Sequence, residues 1–79
     1  MPVIMVVYFY GKLADVAGQK KLEIASQKYS DDLLKVLKKK LPELTSYSFL
    51  LSVNQEIVSD NRVLSSGDEI ALLPPFSGG

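Results

Sequence analysis

Val3-Ile4-Met5-Val6-Val7-Tyr8-Phe9-Tyr10 is an unbroken run of β-branched, aromatic and other apolar residues near the start of the chain. Both alternate sets of its period-two pattern are apolar, so it reads as a strand buried on both faces, which places it centrally in a sheet. Next, Gly11-Lys12-Leu13-Ala14-Asp15-Val16-Ala17-Gly18 predicts a short helical turn closed by Gly18, because glycine accepts the left-handed conformation that ends helices. Lys20-Lys21-Leu22-Glu23-Ile24-Ala25 alternates polar with apolar, the pattern of a half-exposed strand. These two strands read as an antiparallel pair.

A helix from Asp31 to Leu41 comes next, with Ser30 as N-cap and Tyr29 packing on Leu34 as a hydrophobic staple. Asp31 and Asp32 favour the positive end of the helix dipole, and Lys38, Lys39 and Lys40 the negative end. The lysine run has a second reading as a basic surface for an acidic partner. Leu33, Leu34, Leu37 and Leu41 form the apolar stripe, and Pro42 blocks continuation. Glu43 to Ser48 reads as an irregular connection. Phe49 to Val53 predicts a strand, Asn54-Gln55-Glu56 a turn, and Ile57-Val58 a return strand. A brief Val63-Leu64 segment leads to a tight turn at Ser65-Ser66-Gly67-Asp68, then a last strand from Glu69 to Leu73. The outline is ββαββ. Periodicity alone gives an α+β sheet with one covering helix.

The last strand runs into Pro74-Pro75-Phe76-Ser77-Gly78-Gly79. Two prolines remove two N–H donors and fix φ, so they end sheet pairing and hold the residues after them out as a stiff spur. The spur becomes flexible at Gly78-Gly79, where no Cβ crowds the terminal carboxylate and any φ is tolerated. That suits a carboxyl group that is modified or transferred inside a narrow site on another protein. The alternative is an inert, frayed end.

Composition bounds these readings. Seventy-nine residues make one small domain, able to bury roughly 60% of the surface its unfolded chain exposes. Nine basic residues balance nine acidic ones, so no net charge draws the chain to nucleic acid or anionic lipid. No stretch approaches the length of a membrane span, and the N-terminal run lacks a charged start and a small-residue cleavage site. No membrane association and a cytoplasmic location are expected. The chain has no Cys and no His, which excludes disulfides, Ser-His and Cys-His dyads and the usual zinc sites. A self-sufficient enzyme is therefore not expected, and neither is a metal site.

Phe9 followed by Leu13, Asp15 and Gly18, then Val53-Asn54-Gln55, then Gly67-Asp68-Glu69-Ile70-Ala71, then Pro74-Pro75-Phe76-Ser77-Gly78-Gly79, resembles the small subunit of molybdopterin synthase over nearly the whole chain. The chain departs from many relatives at Ala14, where they carry arginine, at Leu73, where they carry phenylalanine, and at Phe76, where they carry valine. The favoured arrangement of the elements matches that resemblance. It is the β-grasp, or ubiquitin-like, architecture: a mixed sheet of four to five strands, the first and last side by side in parallel, with one main helix across one face. Residues 1–73 form that domain and residues 74–79 a flexible tail.

The resemblance implies a sulfur carrier with no bound cofactor. Gly79 would be adenylated with Mg·ATP by an E1-like adenylating enzyme and converted, with a sulfur donor system, to a thiocarboxylate. The tail would then enter the large catalytic subunit, in a heterotetramer of two copies of each subunit, and pass sulfur to cyclic pyranopterin monophosphate. Gly78 would give clearance, while Pro74, Pro75, Phe76 and Ser77 would guide the tail. Phe76 either anchors in a partner groove or folds back on its own sheet. Other readings are a ubiquitin-like modifier, a carrier for tRNA thiolation or thiazole synthesis, and an inert interaction domain. Asn54-Gln55 reads as turn chemistry as readily as a partner contact. Asp68-Glu69 reads as a solvated turn, not a cation site. Tyr8, Phe9 and Tyr10 read as core packing, not base stacking.

Overall fold

The computed structural model describes residues 3–75. The opening run forms β1 (Ile4–Phe9) and pairs antiparallel with β2 (Lys21–Ala25), from Ile4 opposite Ala25 to Tyr8 opposite Lys21. Between them lies α1 (Lys12–Ala17), ended by Gly18 in the left-handed conformation, its N–H reaching back to Ala14 and Asp15 carbonyls. Then come α2 (Ser30–Lys40), a 3-10 turn at Pro42–Ser46, the hairpin β3 (Leu50–Val53) and β4 (Glu56–Val58), and β5 (Ile70–Leu73). The described strands form one sheet in the order β2-β1-β5-β3-β4. As expected, β1 and β5 lie side by side and parallel, with Val7 opposite Ile70 and Phe9 opposite Leu72. With one main helix on one face, this is the β-grasp, or ubiquitin-like, fold.

Burial along β1 corrects the reading of that run. Met5, Val7 and Phe9 are buried, but Ile4 is 48% exposed and Val6 and Tyr8 are half-buried. The reason is the layer count: α2 covers one face of the sheet, and the other is left open. The covered core joins Met5, Val7, Phe9, Ile70 and Leu72 to Leu33 and Leu37 of α2. Leu34 and Leu41 pack against it at its edge, so the predicted stripe is the buried one. Of the three aromatic residues of the run, Phe9 alone is core; Tyr10 is 51% exposed. Among the described residues, no helix is long and apolar enough to cross a membrane.

Two connections differ from expectation. The segment after Pro42 is ordered as a 3-10 turn, because Leu44 is fully buried beneath α2 and Pro42 suits a first turn. Ser30 is the first residue of α2 and is not its cap. Its Oγ accepts the Arg62 N–H at 2.8 Å, while Asn61 Oδ1 accepts the Asp31 N–H at 3.0 Å. A loop distant in sequence thus supplies the acceptor that a local N-cap usually provides.

The β3–β4 hairpin turns through Asn54 (φ 52°) and Gln55 (φ 69°), both left-handed. That pair of signs defines a type I′ turn, whose second central residue is usually glycine. The turn takes its other support from Asn54, whose side chain bridges to the segment before β5 and leaves Gln55 strained. Replacing Gln55 with Gly removes a left-handed Cβ clash of about 1 kcal/mol. The expected result in urea unfolding is a raised midpoint with an unchanged slope. A lowered midpoint would show that Gln55 makes a compensating contact.

Candidate functional site

The site is built where β1 and β5 end together. The Tyr10 N–H donates to the Leu72 carbonyl at 3.2 Å. Beyond that bond β1 turns through Gly11 into α1, and β5 leaves the sheet at Pro74, which has no N–H to continue the ladder. Pro74 is half-buried and Pro75 exposed. Both line a cleft of about 250 Å³ with Lys12, Leu13, Tyr47 and Ser48. Lys12 Nζ stands 5.3 Å from the Tyr47 ring centroid, close enough for a cation–π contact across the mouth of this cleft. Phe76, Ser77, Gly78 and Gly79 lie outside the described residues, as do Met1 and Pro2.

The open sheet face surrounds this exit. Tyr8, Ala71, Ser52 and Ile57 form one cross-strand row, and Ile4, Val6, Leu50 and Leu73 flank it. Ile57 is 54% exposed. A second and larger cleft, about 500 Å³, lies between this face and α1 and is lined by Tyr8, Tyr10, Gly11, Ala14, Lys20 and Lys21.

The discounted polar residues find internal partners. Asn54 Nδ2 donates to Asp68 Oδ1 at 3.0 Å, and Asn54 Oδ1 accepts the Glu69 N–H at 2.9 Å. Asp68 Oδ2 accepts the Ser65 N–H at 2.8 Å. Asn54 therefore locks the hairpin to the turn before β5. The Ser65 N–H, then the Asn54 amide, hold the Asp68 carboxyl below its ordinary value of 3.8, with the Arg62 charge helping and partial desolvation opposing.

Two residues of the site escaped the sequence reading. Gly11 abuts Pro74: a Cβ on Gly11 would lie 2.9 Å from Pro74 Cγ. The available signal was a glycine at a helix start, where Ser, Thr, Asp or Asn is usual. Tyr47 sat within a segment read as irregular, and only tertiary packing brings it to Pro74.

These features define a ubiquitin-like protein whose C-terminal segment leaves the sheet from a shaped cleft beside the central strands. The chain matches the ThiS family over residues 7–79 and belongs to it. It is 37% identical over 79 residues to the molybdopterin synthase sulfur carrier subunit of Chlamydomonas reinhardtii, the match covering 92% of this chain and 95% of that one. Among solved structures, it is similar to SAMP1 from Haloferax volcanii at a TM-score of 0.82 and 27% identity, covering 96% of this chain and 99% of that one. It is also similar to a chain in the complex of subunits 1 and 2 of the molybdopterin-converting factor from Helicobacter pylori 26695. There the TM-score is 0.74 and the identity 25%, over 96% of this chain and 99% of that one.

The sign of the Asp68 effect sets a pH test. A carboxyl group depressed in the folded state stabilises the fold above its unfolded value, and that contribution is lost as pH falls through the folded value. Urea midpoints of the wild type and Asp68→Asn are expected to differ at pH 7 and to converge below about 3.8. A difference that persists unchanged to low pH would mean that the ionised carboxylate is not what stabilises the turn.

Proposed function

We propose that this chain is the sulfur-carrier subunit of a molybdopterin synthase, with the Gly79 carboxyl group as its reacting centre. One observation carries the reading. Strand β5 of a ThiS-family fold delivers the chain at Pro74 into Pro75-Phe76-Ser77-Gly78-Gly79, in a protein similar over nearly its whole length to a sulfur carrier subunit.

The chemistry stems from a deficiency of carboxylates. A carboxylate is a poor electrophile until an oxygen is turned into a leaving group. An E1-like enzyme holding Mg·ATP would let a Gly79 oxygen attack the α-phosphorus, releasing pyrophosphate and leaving an acyl adenylate. A sulfur donor then displaces AMP, and the product thiocarboxylate carries a soft, nucleophilic sulfur. In the large catalytic subunit that sulfur passes to cyclic pyranopterin monophosphate, and two such transfers, each followed by hydrolysis that returns the Gly79 carboxylate, build the dithiolene. Bases and substrate contacts come from the partners, in keeping with a chain that has no His or Cys. Gly78 gives clearance, Phe76 anchors the tail in an apolar groove, and Pro74, Pro75 and Ser77 guide it. The apolar open face beside the exit supports docking on the large subunit, in an assembly of two copies of each.

The likeness to SAMP1 supports a second reading. Here the activated carboxyl group joins a protein amine, or its sulfur serves tRNA thiolation or thiazole synthesis. Both readings need the same activation and differ in the acceptor.

Deleting Gly78-Gly79 is expected to abolish ATP–pyrophosphate exchange by the adenylating enzyme while leaving the thermal midpoint unchanged. Gly79→Val is expected to lower exchange by about tenfold or more, since a branched Cβ crowds the carboxylate and misplaces the oxygen that attacks the α-phosphorus. Undiminished exchange in the deletion would sink both readings. Wild-type exchange in Gly79→Val would remove clearance as the reason for glycine.

A further inference from the structure

Gly11 sits at the N-terminus of α1 with φ 58° and ψ −136°. That conformation belongs to the first central position of a type II′ turn and is closed to residues with an L side chain. No side chain caps the helix there, so the usual reason for a particular residue at this position does not apply. A contact supplies another reason. A Cβ on Gly11 would lie 2.9 Å from Pro74 Cγ and 3.8 Å from Cδ, whereas Gly18 (φ +73°) and Gly67 (φ +89°) have nothing within 4 Å. Gly18 and Gly67 answer a backbone need alone. Gly11 answers a backbone need and also leaves room for a specific ring.

The ring belongs to the first of two consecutive prolines that follow β5. Its fixed φ ties the ring to the direction in which the chain enters Pro74, so a contact on the ring fixes how the chain leaves the sheet. Lys12 and Leu13 bound the same place from α1, and Tyr47 and Ser48 from the far side of the cleft. Backbone pairing, with Tyr10 N–H on the Leu72 carbonyl, fixes Gly11 and Pro74 at one level.

We propose that Gly11 is a positioning residue: its bare α-carbon seats the Pro74 ring, and that contact sets the direction in which the chain leaves β5 at Pro74-Pro75 for presentation to the partner. The functional half of this proposal rests on the sulfur-carrier reading; the seat itself does not.

Full-length wild type, Gly11→Ala, Pro74→Ala, the double variant and Gly18→Ala are compared with the E1-like adenylating enzyme and Mg·ATP. Adenylate formation is followed against carrier concentration so that kcat and KM separate. Because a misplacement of about 1 Å costs on the order of 100-fold in a positioned reaction, Gly11→Ala is expected to lower kcat by about tenfold or more with KM little changed. In the Pro74→Ala background, where Cγ and Cδ are gone, the same substitution keeps its backbone strain but loses the clash, and is expected to cost at least about threefold less than in the wild-type background, a non-additivity that marks direct contact. Gly18→Ala carries backbone strain without a contact and is expected to stay within about twofold of the wild type. Nuclear Overhauser contacts between Gly11 Hα and the Pro74 ring protons read the seat directly.

Wild-type kcat in Gly11→Ala, an equal loss in both backgrounds, or a missing Overhauser contact overturns the proposal. A wild-type chain that forms no adenylate refutes the sulfur-carrier reading and with it the aiming role. The Overhauser contact then decides whether the seat exists.

Discussion

The structure depends on the parallel pairing of β1 with β5. Strands from the two ends of the chain meet there through Val7 and Ile70, Tyr8 and Ala71, and Phe9 and Leu72. Parallel neighbours require a long crossover, and everything between them serves as one: β2 extends one edge, α2 covers the core face, and the β3–β4 hairpin completes the other edge. Because the two strands run the same way, they end at the same level. The start of α1 and the exit of the C-terminal segment are therefore brought together by the same hydrogen-bond ladder that forms the core. Fold and site share a cause.

Much of the fold was legible because it is local. The stripe through Leu33 and Leu37 has helical period, the alternation from Lys20 to Ala25 has strand period, and Gly18 marks a helix end by a conformation that only its own backbone needs. The errors are of another kind. Apolar residues on the open side of β1 look in sequence like residues covered on both sides, since periodicity records side-chain type and not how many layers the chain builds. Ser30 had the right identity for a cap, yet its hydroxyl serves Arg62 while Asn61 caps the helix, an exchange between segments that no local pattern encodes. Leu44 gives the segment after Pro42 its order through a tertiary contact.

The exit from β5 was legible in part. Pro74-Pro75 announced the end of pairing, while Gly78 and Gly79, where the reacting end was expected, lie outside the described residues. Nothing local linked Gly11 to Pro74, because the contact joins the two ends of the chain. The same holds for Tyr47, which reaches the cleft only through the turn that buries Leu44. Asn54 and Asp68 invite a partner or cation reading by type, but they spend their hydrogen bonds on each other, on Ser65 and on Glu69, and so stiffen the approach to β5. Across the described residues, these polar groups hold the frame, and the sheet face left uncovered by α2 lies beside the exit at Pro74.

The central claim is that Gly79 carries sulfur. Intact mass spectrometry of the protein, co-expressed with its adenylating enzyme and a sulfur source, measures this directly, with fragmentation to place any change. The account predicts replacement of one C-terminal carboxyl oxygen by sulfur, confined to Gly79 and absent when that residue is removed. An unmodified terminus, under conditions that thiolate an established carrier, would contradict it.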